Sequence, residues 1–88
     1  MKKYDTLTIY ISDSLPGDTL TEKTRYAIAI ACVPLEAEPT PEATQFAERF
    51  TLVYAEPKNT ELGLEYKVRI RSEVVAIDAY RRRLRELE

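Results

Sequence analysis

The chain has no histidine, no tryptophan, one cysteine and only two glycines among its 88 residues. Each shortage excludes some chemistry. Without His, a Ser, Thr or Cys nucleophile lacks its commonest activating base, and zinc and related metals lose a principal nitrogen ligand. A single Cys cannot form an internal disulfide, and so small a chain without a disulfide framework is expected in a reducing compartment, the cytoplasm. Cys32 lies in the apolar run from Ala27 to Val33, where a small buried hydrophobe is the expected role. Gly17 and Gly63 are too few and too far apart for a phosphate-binding loop. No apolar run approaches the ~20 residues of a membrane span. Met1-Lys2-Lys3 carries charge like a signal peptide but has no apolar segment behind it. The expectation is therefore no enzyme, no cofactor, no metal, no membrane partner and no small-molecule substrate.

What remains is a globular composition, 44% hydrophobic and 32% charged. The length fits one domain over 1–88. Leu87-Glu88 has the look of an expression-tag junction and is given no functional weight. The net charge of −2 is unevenly placed. Residues 1–66 carry 6 basic and 11 acidic side chains, a balance of −5, whereas 67–88 carry 7 and 4, a balance of +3. This asymmetry is the compositional hint of a charged partner.

Residues 4–12 alternate cleanly, with Leu7, Ile9 and Ile11 on one side and Tyr4, Thr6, Thr8 and Tyr10 on the other, which predicts a strand. Pro16-Gly17 then reads as a turn. Residues 19–33 hold two conflicting signals. Thr19-Leu20-Thr21-Glu22 matches a helix capping box, yet Tyr26, Ile28, Ile30 and Cys32 recur every second residue. If Pro16-Gly17 centres a hairpin, the apolar positions of both arms share one face, and this favours a second strand. Thr40-Pro41-Glu42 is a helix start, with Ala43, Phe46, Ala47 and Phe50 on one stripe. Residues 51–55 read as a strand ended by Pro57, and 58–63 as a loop. Leu64, Tyr66, Val68 and Ile70 alternate with charged residues in a half-buried strand. Val74, Ile77, Tyr80, Leu84 and Leu87 then take helical spacing behind Ser72 as N-cap, with Asp78 and Arg82 as an i, i+4 pair. The expected fold is α+β, in ββαββα order, with a four-stranded antiparallel sheet and two helices on one face.

Several constellations invite a functional reading and have a plainer one. Ser12-Asp13-Ser14 is turn chemistry. Glu36, Glu38 and Glu42 form a solvated acidic loop without a calcium-binding pattern. Two features stand out. One is the basic helix face of Arg81, Arg82, Arg83 and Arg85, where Arg82 and Arg83 fall off the apolar stripe. The other is the uncovered sheet face, which by parity presents Tyr4, Tyr10, Lys67, Arg69 and Arg71, together with Lys23 and Arg25 from the expected second strand. Tyrosine and arginine concentrate at the centres of protein interfaces. Aromatics among cations also suit single-stranded nucleic acid. The acidic sequence pI, about 5.2, removes a general attraction to polyanions. The expected function is a small protein-binding module, acting as a homodimer or as a regulator docking on a larger protein. RNA or single-stranded DNA binding, and a structural subunit of a phage or mobile-element assembly, are the alternatives.

Overall fold

A computed structural model describes residues 4–87; the readings of Met1-Lys2-Lys3 and Glu88 lie outside them. The elements run β1 (Tyr4–Ser12), α1 (Leu20–Ile30), α2 (Pro41–Ala47), β2 (Thr51–Thr60), β3 (Gly63–Glu73) and α3 (Val74–Glu86). The fold is a small α+β domain with three helices and one three-stranded antiparallel sheet in the order β1-β3-β2. The expected four strands and ββαββα order are not what forms.

The difference lies entirely in residues 19–33. The capping box prevails over the alternation. Thr19 Oγ1 accepts from the Glu22 N–H at 3.2 Å, and the Glu22 carboxylate accepts from the Asp18 N–H at 2.7 Å, so one amide left unpaired at the helix start and the amide just before the cap are both satisfied. Leu20, Thr24 and Ile28 then fall at i, i+4 and i+8 and pack against the core. The Thr24 hydroxyl donates to the Leu20 carbonyl at 2.8 Å, which lets a buried Thr sit inside a helix. Pro16-Gly17, with Gly17 at φ +133°, is a bend that leads into α1 rather than back along β1; the hydrogen-bonded turn lies just before it at Asp13-Ser14, where the Leu15 N–H donates to the Ser12 carbonyl at 3.2 Å. Lys23 fastens that turn: its Nζ donates to the Asp13 carbonyl at 2.6 Å and pairs with Asp13 Oδ1 at 3.1 Å.

β1 instead pairs with β3, some sixty residues away, in the register Leu7↔Ile70, Ile9↔Val68 and Ile11↔Tyr66. Both predicted alternations therefore share a covered face, as expected. Val68 and Ile70 on the central strand are wholly buried. β2 continues through Pro57 to Thr60, contrary to the expected stop. It is an edge strand, where a proline can be placed without losing a ladder bond. The expected 58–63 loop is therefore mostly strand: Glu61-Leu62 alone form a tight hairpin turn, across which Thr60 Oγ1 donates to the Gly63 carbonyl at 2.7 Å.

The helices cover one face of the sheet: α1 packs on α2 and reaches both edge strands, and α3 lies over β1 and β3. Phe46, Phe50 and Tyr80 meet in an aromatic cluster with centroids 5.4 to 6.4 Å apart. α2 starts as predicted, with Thr40 Oγ1 accepting from the Ala43 N–H at 3.1 Å. Ser72 is not the cap of α3. It is buried, and its hydroxyl donates to the Arg49 carbonyl at 2.9 Å, which ties the end of β3 to the segment that leads into β2; Glu73 occupies the N-cap, where its side chain makes no capping hydrogen bond.

Candidate functional site

The uncovered face of the sheet is built by residue parity and by one irregularity. Tyr4, Thr6, Thr8 and Tyr10 of β1 and Lys67, Arg69 and Arg71 of β3 lie on it, as the sequence predicts. Tyr54 joins them, and simple alternation would have missed it. In an unbroken strand Leu52 and Tyr54 would share a face. The register shifts between them, with Val53 as the extra residue, so Leu52 opposes buried Ile70 while Tyr54 opposes Arg69. A bulge of this kind turns a side chain onto the other face. Tyr54 and Val53 are both about half exposed, at 55% and 50%.

The face divides into cross-strand rows. Thr6, Arg71 and Thr51 form one row, and Thr8, Arg69 and Tyr54 the next. Neither contains a carboxylate. Farther along, Lys67 lies between Tyr10 and Glu56, and Glu65 between Ser12 and Lys58, so opposite charges face each other there at cross-strand distance. The cationic aromatic patch is thus two rows deep. Tyr4 lies at its end, with the Arg71 guanidinium 5.0 Å from the ring centroid. Beyond Tyr4 a cleft of about 330 Å³ is lined by Arg49, Arg71 and Glu73, with Arg49 and Glu73 3.9 Å apart.

Lys23 and Arg25 do not belong to this face. Both lie on α1: Lys23 is committed to Asp13, and Arg25 borders a cleft between α1 and α2 that also exposes Glu48 and Thr44. Their assignment fell with the second strand.

The arginines of α3 are likewise separate, since α3 belongs to the helix layer behind the sheet. They are not equivalent. Arg81 lies 3.6 Å from both Asp5 and Asp78. Asp78 therefore pairs with Arg81 rather than with the expected Arg82. Arg83 is laid over the Phe46 ring at 5.4 Å, so it covers apolar surface and is not the free charge the stripe argument implied. Arg82 and Arg85 are exposed and form no ion pair with another described residue.

No group of three or more His, Cys, Asp or Glu is arranged to hold a metal ion among the described residues. Cys32 is half-buried and free, and burial pushes its thiol above the usual value, opposed by the nearby Arg83 charge. Tyr80, 4% exposed, is pushed up to about 12 by burial and then by the neighbouring thiol. No described helix is long and apolar enough to cross a membrane. Compared with protein families, curated proteins and solved structures, the chain matches none of them.

Proposed function

We propose that the protein is a non-catalytic binding module of the cytoplasm, a regulator that docks on a larger protein through the open face of its sheet. The observation that carries this reading is the pair of rows in which Tyr54, Arg69, Thr8, Arg71 and Thr51 meet without a facing carboxylate. Tyr and Arg provide large contact area with little ordering cost and dominate the energetics of protein interfaces. The backbone that presents them is a hydrogen-bonded ladder buttressed by three helices, so the patch is presented with little loss of freedom on binding.

The same residues are those an RNA or single-stranded DNA binder would use. Two features favour protein. The unopposed cations span only Arg69 and Arg71, and beyond them Glu56 and Glu65 interrupt any track for a phosphate backbone. The arginines of α3 lie behind the sheet and cannot extend the track.

The test compares the wild-type chain with Tyr54→Ala/Arg69→Glu, both with Arg82→Glu as a surface control. Partners recovered quantitatively from host cells should be lost with the sheet variant and retained with the control. A uridine or thymidine oligonucleotide titrated at physiological salt should bind no tighter than about 100 μM, the weak end of nonspecific binding. Micromolar binding that weakens steeply with salt would replace the protein reading with the nucleic-acid one.

A further inference from the structure

The two outer edges of the sheet are built differently. β2 carries the usual protections of an edge strand: the bulge at Val53, then Glu56, Pro57 and Lys58. β1 has none of them between Thr6 and Ser12. That stretch holds no proline and no charge, and it pairs with β3 without a bulge. Leu7 and Ile9 face the core side but stay half-buried, whereas Ile70 and Val68 opposite them on the central strand are wholly buried. The outer flank of this apolar pair is left in water.

The backbone groups that the edge offers follow from the ladder. The Asp13 N–H donates to the Leu64 carbonyl at 3.0 Å, one step beyond the Ser12↔Glu65 pair. Bonded and non-bonded pairs alternate in an antiparallel ladder, so the odd residues of β1 turn N–H and C=O towards β3 and the even residues turn theirs outwards. Thr6 agrees, since its N–H donates to the Asp5 carboxylate at 2.8 Å. At the other end the Ser12 carbonyl accepts from the Leu15 N–H at 3.2 Å. Between these closed ends Thr8 and Tyr10 aim N–H and C=O at solvent, and no other described segment of backbone bonds to them.

This window is complementary to itself. Laid antiparallel about a two-fold axis at Ile9, Thr8 of each copy exchanges both backbone bonds with Tyr10 of the other, and Leu7 meets Ile11. Directly opposed residues share a face, so the apolar side chains of both copies cover one another on the core side. The window has no charge with which to repel its own copy or to select a charged peptide. Asp5 and Asp13 come opposite each other at its two ends, and each already holds a cation, Arg81 at 3.6 Å and Lys23 at 3.1 Å. A two-fold joint makes every one of these contacts twice.

We propose that the outer edge of β1 is a dimer interface, where a second copy of the chain adds its own β1 in the Thr8–Tyr10 register and two three-stranded sheets become one continuous sheet. The Tyr/Arg face stays uncovered in such a dimer, so the inference does not rest on the reading of that face.

Sedimentation of the wild-type chain from about 10 μM to about 1 mM covers weak to moderate affinity, and a dimer is expected within that range. Thr8→Pro removes an outward N–H and no bond to β3. It should weaken the dimer by at least about tenfold, through a hydrogen bond lost from each copy, with the far-ultraviolet spectrum retained. Thr8→Val keeps the N–H and should dimerise like the wild type, as should Tyr54→Ala/Arg69→Glu. Amide hydrogen exchange followed by NMR needs no variant and decides the matter if Thr8→Pro fails to fold. The Thr8 and Tyr10 amides should be protected in proportion to the dimer that sedimentation finds, while the Ile9 amide, bonded to β3, is protected at every concentration. A wild-type chain that stays monomeric to 1 mM overturns the proposal and leaves the edge to a strand of another protein. So does a dimer whose Thr8 and Tyr10 amides exchange freely, a folded Thr8→Pro variant that dimerises like the wild type, or a dimer abolished by the sheet-face variant.

Discussion

Ile70 offers the sharpest test of how the sheet is oriented. It is on the central strand, wholly buried, between Leu7 of β1 and Leu52 of β2. Ile70→Ala removes three carbons. At about 0.8 kcal/mol for each buried methylene the transfer cost is about 2.4 kcal/mol. A residual hole of about 50 Å³ would add about 1 kcal/mol at the measured dependence on cavity volume. The expected loss is about 3–4 kcal/mol, against about 4–13 kcal/mol of total stability for a domain of this length. In a domain of this size each kcal/mol lowers the midpoint by about 4–8 °C, so a fall of roughly 12–32 °C is expected. Ile70→Val, which deletes one carbon, should cost about 1 kcal/mol and keeps the series readable if the alanine variant is largely unfolded. Arg69→Ala, one residue away on the open face, should change stability by less than about 0.5 kcal/mol. Urea unfolding followed by circular dichroism measures all three. The reasoning fails if Ile70→Ala costs under about 0.5 kcal/mol, or if Arg69→Ala costs more than Ile70→Ala.

Gly17→Ala should destabilise by about 1–3 kcal/mol, because φ is +133° and an added Cβ would lie 2.9 Å from the Glu22 Cβ and 3.0 Å from the Lys23 nitrogen. Gly63→Ala, at φ +122° but facing open space, should cost less by chemical denaturation; the reverse order would show that the turn into α1 does not have this geometry. Tyr80 makes stability sensitive to alkali. Its folded pKa, about 12, lies above the unfolded value of about 10, so the folded chain holds the proton more tightly. Its contribution is complete below about pH 10 and is lost as pH rises towards about 12, by roughly 2–3 kcal/mol. The stability difference between wild type and Tyr80→Phe should therefore be flat from pH 6 to 9 and shift in favour of Tyr80→Phe above about pH 10; a constant difference would refute the assignment. Finally, Arg83→Ala should cost about 0.5–1 kcal/mol through its contact with Phe46, whereas Arg82→Ala should be nearly neutral. Equal effects in thermal melts would mean that Arg83 does not cover the aromatic cluster.

The sequence alone determined the elements whose signals are local. Period-two alternation at 4–12 and 64–71 specified two strands and the face each would bury, because parity follows from the pleat and needs no partner. Thr40-Pro41 marked the start of α2, and Ile77, Tyr80 and Leu84 the inner side of α3, because caps and helical stripes are read within a few residues. Placing Tyr4, Tyr10, Arg69 and Arg71 together on one face followed from the same parity. Tertiary structure decided the rest. Residues 20–30 satisfy both periods, with Tyr26, Ile28 and Ile30 alternating and Leu20, Thr24 and Ile28 helical. The choice depended on which segment paired with β1. β3 did, across some sixty residues, and a segment left without a strand partner must satisfy its own backbone amides, which a helix does. The outward turn of Tyr54 rests on a single extra residue in the β2–β3 register, visible only against the partner strand. The separation of Arg83, spread on Phe46, from Arg82, left in water, depended on which helix α3 met. Local pattern sets which side chains share a face; long-range packing sets what that face meets.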